Sequence, residues 1–399
     1  MANPTYPSRA TTYPASKRRR LSDDDHHSLL PGLPDHIAQL CISLIPQSAL
    51  YFVCRSWRRL IYSASIPPFR SLYTLSLPKA TTGCGGESRD NQMPRLSSFD
   101  PISSKWITID SPPLPPFLHR LSLRHPSFIS RNLPVQSVSV SGNLVLLAGT
   151  SGDLVPALPH PLVFNPLSND WSYGPPLSTP RRWCAVGASR GTVVVASGIG
   201  SHYTQTVARS VEKWVLRKIE SSHKKRIDPD GVWEEMRSLR DSKLCREAID
   251  AVGWRGKLCM VNVKGDCAKQ GFVYDVDSDE WVAMAEGMLG GWKGPATSMD
   301  EETIYVVDES RGVLKRYNHD RDDWSDIMED KRLKGAEYIA AGGGKVCVAC
   351  EKDVGILVVD VMATPPRLWV VETPVGHEIL ALHILPRMCS PEFQLPETV

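Results

Sequence analysis

The chain has 399 residues, 42% of them hydrophobic and 23% charged, ordinary globular values that point to two folded units plus tails. Its formal net charge of +2 creates no whole-chain attraction to nucleic acid or to a membrane surface, so neither is an expected partner. No stretch approaches the about 18 consecutive apolar residues of a membrane span. With 32 Pro and 28 Gly, the composition speaks against long helices and for short elements joined by turns. Met1 to Arg20 is polar and has no apolar h-region, and the 10 Cys residues read as reduced thiols of the nucleus or cytoplasm.

Residues 1–28 read as a disordered tail, rich in Pro, Ser, Thr and Tyr and too poor in aliphatics to offset the entropy of ordering. Within it, Lys17-Arg18-Arg19-Arg20 is either a nuclear-import patch or a plain solvated charge run. Residues 29–66 change character. Ile37, Leu40, Cys41 and Leu44 fall at helical spacing, with Pro34 suited to the first turn. After Pro46 a second stripe follows, made of Leu50, Val53, Cys54, Trp57, Leu60 and Ile61, with Arg55, Arg58 and Arg59 opposite; Pro67-Pro68 stops it. So small a helical segment makes a poor core by itself and has to lean on another surface, either the next domain or another protein.

The residues themselves carry a likeness. Leu33-Pro34-Asp35-His36-Ile37-Ala38-Gln39-Leu40 followed by Val53-Cys54-Arg55-Ser56-Trp57-Arg58-Arg59-Leu60-Ile61 resembles the F-box at its usual spacing. The stretch between Pro46 and Val53 departs from that pattern in holding few basic residues.

From residue 70 onward the sequence repeats. An aromatic residue, a polar turn and a Trp recur as Phe99–Trp106, Phe164–Trp171, Tyr274–Trp281 and Tyr317–Trp324, each pair seven residues apart, with weaker copies ending at Trp233 and Trp369. The six repeat Trp residues, 106, 171, 233, 281, 324 and 369, are spaced 65, 62, 48, 43 and 45 apart. The shorter intervals fit a four-stranded propeller blade, and the two longer ones require insertions near 111–132 and 201–230. Between the Trp residues lie hairpin signals: Ser141-Gly142-Asn143, Ser189-Arg190-Gly191, Arg255-Gly256, Asp300-Glu301-Glu302 and Gly342-Gly343-Gly344, each flanked by apolar strands.

This order resembles the kelch repeat, most clearly from Thr179-Pro180-Arg181-Arg182 through Ser197-Gly198; the usual double glycine is degraded to Ala148-Gly149 and Ser197-Gly198. The expected fold is mostly β: a six-bladed kelch-type β-propeller over 70–386, preceded by the small all-α F-box and followed by a tail at 387–399. The first blade lacks a strand of its own. Glu378–Leu385 is expected to supply it and close the ring, removing exposed sheet edges. The blade Trp residues at 106, 171, 233, 281, 324 and 369 are expected to pack between neighbouring sheets.

Catalytic motifs are not found: no phosphate-binding loop, nucleophile elbow or zinc-protease motif occurs. Cys347-Val348-Ala349-Cys350 has CxxC spacing but falls in a strand, where residues three apart face opposite ways, so buried thiols are expected rather than zinc. Asp275, Asp277 and Asp279 suit a polar turn better than a calcium loop. The Tyr and His ligands of a kelch-type copper oxidase cannot be assembled. No cofactor, metal or catalytic residue is expected.

Together the two motifs resemble the plant F-box/kelch-repeat proteins of the Skp-interacting-partner type. That resemblance implies a non-catalytic substrate receptor of a Skp–cullin–F-box ubiquitin ligase, partnered by a Skp-type adaptor, through it by cullin, and by a protein target. By position, the implied adaptor-binding residues are Leu33, Pro34, Ile37, Leu40, Val53, Cys54, Trp57 and Leu60, with Leu33, Pro34 and Ile37 facing the adaptor and Trp57 mainly packed inside. The target face would be built from the loops that lead into each first strand and that join second to third strands. Its candidates are Arg124, Arg131, Arg181, Arg182, Trp183, His202, Tyr203, Arg246, Trp292 and Lys293, chosen because Arg and aromatic side chains dominate binding hot spots. Each is equally readable as a solvated loop residue. A kelch scaffold that bridges proteins without ubiquitin transfer remains the alternative.

Overall fold

A computed structural model describes residues 29–43, 45, 50–51, 53–61, 70–78, 95–101, 103–110, 136–147, 159–216, 218–221, 224–227, 231–240, 249–262, 270–350, 355–374 and 376–388. Lys17–Arg20, Ala148-Gly149, Cys267, Arg124, Arg131 and Arg246 lie outside them.

The N-terminal segment forms helix α1, Asp35–Ser43, and helix α2, Arg55–Ile61. Pro34 sits just before α1, and its carbonyl accepts the Ile37 and Ala38 N–H groups, the arrangement a residue without an N–H donor favours at a helix start. Asp35 turns its carboxylate back to the Leu29 N–H at 3.2 Å. Ala38, Ile42, Leu50, Leu60 and Ile61 are buried together, with Leu29, Leu30, Tyr51 and Trp57 packed around them.

The rest of the described chain is a propeller of six four-stranded antiparallel sheets. In each, strand a lines the axis and strand d is outermost. Blade 2 is Gln136–Val140, Asn143–Leu147, Leu162–Asn165 and Asp170–Tyr173. Blade 3 is Ala185–Ser189, Thr192–Ala196, Val211–Val215 and Glu234–Met236. Blade 4 is Ile249–Trp254, Lys257–Asn262, Gly271–Asp275 and Glu280–Ala283. Blade 5 is Ala296–Met299, Thr303–Asp308, Val313–Asn318 and Asp323–Glu329. Blade 6 is Ala336–Gly342, Lys345–Cys350, Ile356–Asp360 and Arg367–Val371.

Blade 1 is the composite one. Its strands b, c and d are Arg70–Pro78, Arg95–Asp100 and Lys105–Thr108, and its strand a is the C-terminal His377–Pro386. Register runs from Arg70 opposite Pro386 to Pro78 opposite His377, with one irregularity at Leu75/Ser76. The ring therefore shuts by the expected terminal strand. A buried polar clasp accompanies it: the His383 imidazole sits between the hydroxyls of Ser139, at 3.0 Å, and Ser137, at 2.8 Å, on strand a of blade 2. Burial pushes its pKa down to about 4. Arg387, just past the strand, pairs with the buried Asp100 carboxylate at 3.2 Å.

The a–b hairpins turn where the local chemistry requires. Ser141-Gly142, Arg190-Gly191, Arg255-Gly256 and Gly343-Gly344 all carry positive φ at both central positions, the geometry that matches the twist of the flanking strands. In the c–d turns, Ser104, Asn169, Asp279 and Asp322 take positive φ two residues before the Trp. Asp275 and Asn318 accept turn N–H groups through their side chains, which accounts for the acidic spacing without a cation.

Each seam between blades holds one apolar cluster. Five Trp residues stitch these seams. The indole N–H of Trp106 donates to Glu372 O, Trp171 to Asp110 O, Trp233 to Pro175 O, Trp281 to Arg237 O, and Trp324 to Gly287 O, at 2.7–3.0 Å. Every acceptor lies just beyond strand d of the preceding blade. In blades 4 and 5 the clip is two-sided, because Asp279 accepts from the Arg237 N–H and Asp322 from the Gly287 and Met288 N–H groups. Gly287 is needed there, since a Cβ would lie 1.6 Å from Asp322 O.

Trp369 breaks the pattern and corrects the expectation that it packs between blades. In blade 4, Asp275 faces Glu280 and Tyr274 faces Trp281. In blade 6, Asp360 faces Arg367 and Val359 faces Leu368, so Leu368 stands where the other blades have Trp. The c–d turn is longer, and Trp369 is one residue out of step. It therefore points to the other side of the strand, 41% exposed. In blade 3 the reason for the weak copy differs: Trp214 is the leading aromatic, its ring centroid 5.7 Å from that of Trp233, and a hairpin of Lys218–Ser221 and Lys224–Ile227 expands the turn between them.

Candidate docking and recognition surfaces

Helix α1 has two apolar faces. Ala38 and Ile42 look into the small core, while Leu33, Ile37 and Leu40 are exposed by 39%, 37% and 64%. The stripe that periodicity reveals, Ile37-Leu40-Cys41, is thus the outward one. Pro34 and Cys41 are exposed beside it, as are Val53 and Cys54 ahead of α2. Of the eight adaptor candidates, six present apolar surface to solvent. Trp57 is half-buried and donates its indole N–H to Leu29 O at 2.9 Å. Leu60 is buried in the mini-core, which corrects its placement among the docking residues: its side chain is used up inside.

The propeller has two loop faces. The a–b and c–d turns share one; the b–c connections and the crossovers to the next blade share the other, here called the crossover face. On the turn side, contacts run between loops: Arg70 pairs with Asp300 at 3.1 Å, and Glu301 accepts from Ser189 Oγ and from the Arg190 N–H. The strands a enclose an axial cavity of about 740 Å³.

The crossover face carries the target candidates that lie among the described residues, and the structure sorts them. Trp292 is fully buried, donating to Asp250 at 3.0 Å. Arg181 is 1% exposed and gives its guanidinium to Glu212, Ser210 Oγ and Ser197 O. Burial lowers its pKa, while the nearby Cys184 and Glu235 push the other way. These two residues, and Trp183, are buried parts of the scaffold and are corrected as contact candidates. Arg181 and Trp292 find carboxylate partners 31 and 42 residues away in the chain, which composition could not reveal. His202, Tyr203 and Lys293 remain exposed. Arg182 is buried against the Trp183 ring, its guanidinium carbon 4.6 Å from the centroid.

Four cysteines, Cys184, Cys259, Cys347 and Cys350, are packed into the propeller. Cys347 lies in the seam between blades 6 and 1, and Cys350 packs against the seam between blades 5 and 6. Burial pushes their thiols up to about 12 and about 11, and those of Cys259 and Cys184 to about 12 and about 11. No group of three or more potential metal ligands occurs among the described residues.

No protein-family model matches the chain. Curated proteins do. The F-box/kelch-repeat protein SKIP25 of Arabidopsis thaliana is 46% identical over 389 residues, 96% of each chain. The F-box/kelch-repeat protein SKIP4 of the same plant is 22% identical over 86% of this chain and 88% of its own. The Arabidopsis F-box protein AFR is 26% identical over 70% and 68%. With a helical pair that leaves its periodic apolar stripe outside, a six-bladed ring closed by the last strand, and near-complete alignment at this identity, the chain belongs to the plant F-box/kelch-repeat proteins.

Proposed function

We propose that this protein is the substrate-recognition subunit of a Skp–cullin–F-box ubiquitin ligase. The mini-bundle docks a Skp-type adaptor and, through it, cullin, and the propeller holds a protein target. The observation that carries this reading is the exposed apolar stripe of Leu33, Ile37 and Leu40, continued by Val53. A bundle this small, with that much apolar surface left in water, is completed by another subunit. Burying each such side chain contributes about 1.5–3 kcal/mol. The protein itself then performs no bond chemistry. It raises the local concentration of the target beside the charged enzyme.

The test is co-purification of the full chain with a Skp-type adaptor and cullin. Leu33→Ala combined with Pro34→Ala is expected to weaken adaptor binding at least about tenfold, the equivalent of about 1.4 kcal/mol, with the propeller's melting unchanged. Undiminished binding by the folded double variant refutes the docking assignment. Adaptor binding without cullin favours a scaffold that bridges proteins without ubiquitin transfer.

A further inference from the structure

Two neighbouring arginines open blade 3, and the protein treats them oppositely. Arg181 is buried and fully engaged with Glu212, Ser210 and Ser197. Arg182 is 8% exposed, and its Nε and Nη1, both sealed from solvent by the loops around them, have no hydrogen-bond partner among the described residues. A buried guanidinium is normally paired with a carboxylate, because an uncompensated buried charge strongly destabilises a fold. Its one side-chain contact given by the structure is the stack on Trp183. A guanidinium held over a ring keeps the N–H donors of its fork unspent, and an oxyanion that parts the covering loops finds them unpaired.

The backbone supports this placement. Trp183 adopts φ 50, a left-handed conformation that a bulky side chain rarely takes; strain of this kind persists where the surroundings hold it and gathers at ligand-binding positions. The Arg182 segment is pinned to the b–c loop, with reciprocal backbone bonds between Arg182 and Ile199 at 2.9 Å. That loop goes on to the exposed His202 and Tyr203. The corresponding crossover of blade 5 puts Lys293 at the matching position, its carbonyl accepting from the Glu309 N–H as the Arg182 carbonyl accepts from Ile199. Unlike Arg182, Lys293 is exposed, so the two crossovers present one sealed and one open cation.

We propose that Arg182 is the anion receptor of the crossover face, taking one oxyanion side chain, a carboxylate or a phosphate ester, from the bound target. This deepens the reading of the propeller as the target-holding half and rests on it. Burial pulls the Arg182 pKa down, and an anion in the fork relieves that penalty. Arg181 cannot serve, because Glu212, Ser210, Ser197 and Thr179 already accept from its donors.

The experiment titrates the purified full chain with inorganic phosphate and, separately, with acetate at constant ionic strength, reading the melting temperature. Wild type is expected to rise by about 2–4 °C at saturation. Arg182→Met is expected to melt at or above wild type without anion and to show no response, and Arg182→Lys to respond at least tenfold more weakly. A response to phosphate alone assigns a phosphorylated target residue; a response to acetate as well assigns an Asp or Glu. Equal responses in wild type and Arg182→Met, no response in wild type to either ion, or an Arg182→Met chain that fails to fold would each overturn the proposal. Adaptor pull-down with Arg182→Met is expected to match wild type, so failure of the anion site is separable from failure of the ligase reading.

Discussion

The helical pair and the propeller handle apolar surface in opposite ways. In the propeller, nearly every large apolar side chain of strands b and c is tucked into a seam, and Trp indoles bind carbonyls of the preceding blade. In the helical pair, Leu40 and Val53 stay more than half exposed while Ala38 and Ile42 fill the interior. The ring completes its own core by bending back on itself; the helices leave theirs half finished. On the proposed reading, stability within one chain and affinity for a second chain are assigned to different segments.

Removing the terminal strand tests the propeller side hardest. A chain ending before His377 leaves blade 1 without strand a, takes His383 from between Ser137 and Ser139, and exposes Tyr73, Leu75 and Leu382-facing surface. Loss of cooperative melting and of soluble expression is the expected outcome; a truncated chain with an unchanged melt would contradict closure by this strand.

A smaller and more local contrast lies among the Trp residues. Trp281→Ala is expected to cost about 3–5 kcal/mol, because it empties a seam and leaves Arg237 O without its donor. Trp369→Ala, on the solvent side of its strand, is expected to stay within about 0.5 kcal/mol. Chemical denaturation of the two variants reads the difference directly, and equal losses would mean that blade 6 is in the register of the others.

His383 gives a pH signature. Its imidazole is held neutral in the fold, with a pKa near 4 against about 6.5 in an unfolded chain. The stability this contributes is fully present above pH 6.5 and is lost as pH falls toward 4, an effect on the order of 3 kcal/mol. Urea midpoints of His383→Gln are expected to drop less than those of wild type between pH 6.5 and 4.5. Parallel profiles would rule out the clasp as the source.

The least effect on stability is expected at the helical surface. Leu40→Asp should shift unfolding by no more than about 0.5 kcal/mol while abolishing adaptor capture. A marked loss of stability would show that Leu40 serves the bundle itself.

What the sequence made legible follows from distance along the chain. The two-residue turns, the polar c–d turns and the alternating strands are local, and all are present in the fold. The closing strand was readable because a missing first strand at residue 70 and a surplus one at 378 leave few alternatives. Trp369 misled because counting aromatics ignores register, and the longer turn after Asp360 moves Leu368 into its place. Helical periodicity located the stripe of Ile37, Leu40 and Cys41 but not the side it faces, since a stripe looks the same whether its partner is internal or another molecule. The burial of Arg181 and Trp292 depends on Glu212 and Asp250, residues that only the folded ring brings near.

The splice of first and last segments in blade 1 has a consequence for biosynthesis. Arg70 waits for Pro386, so the ring cannot shut until nearly the whole polypeptide has left the ribosome. The side chains of the small helical core, by contrast, all lie between Leu29 and Ile61. On the proposed reading, the docking helices are thus made well before the surface that would capture a target.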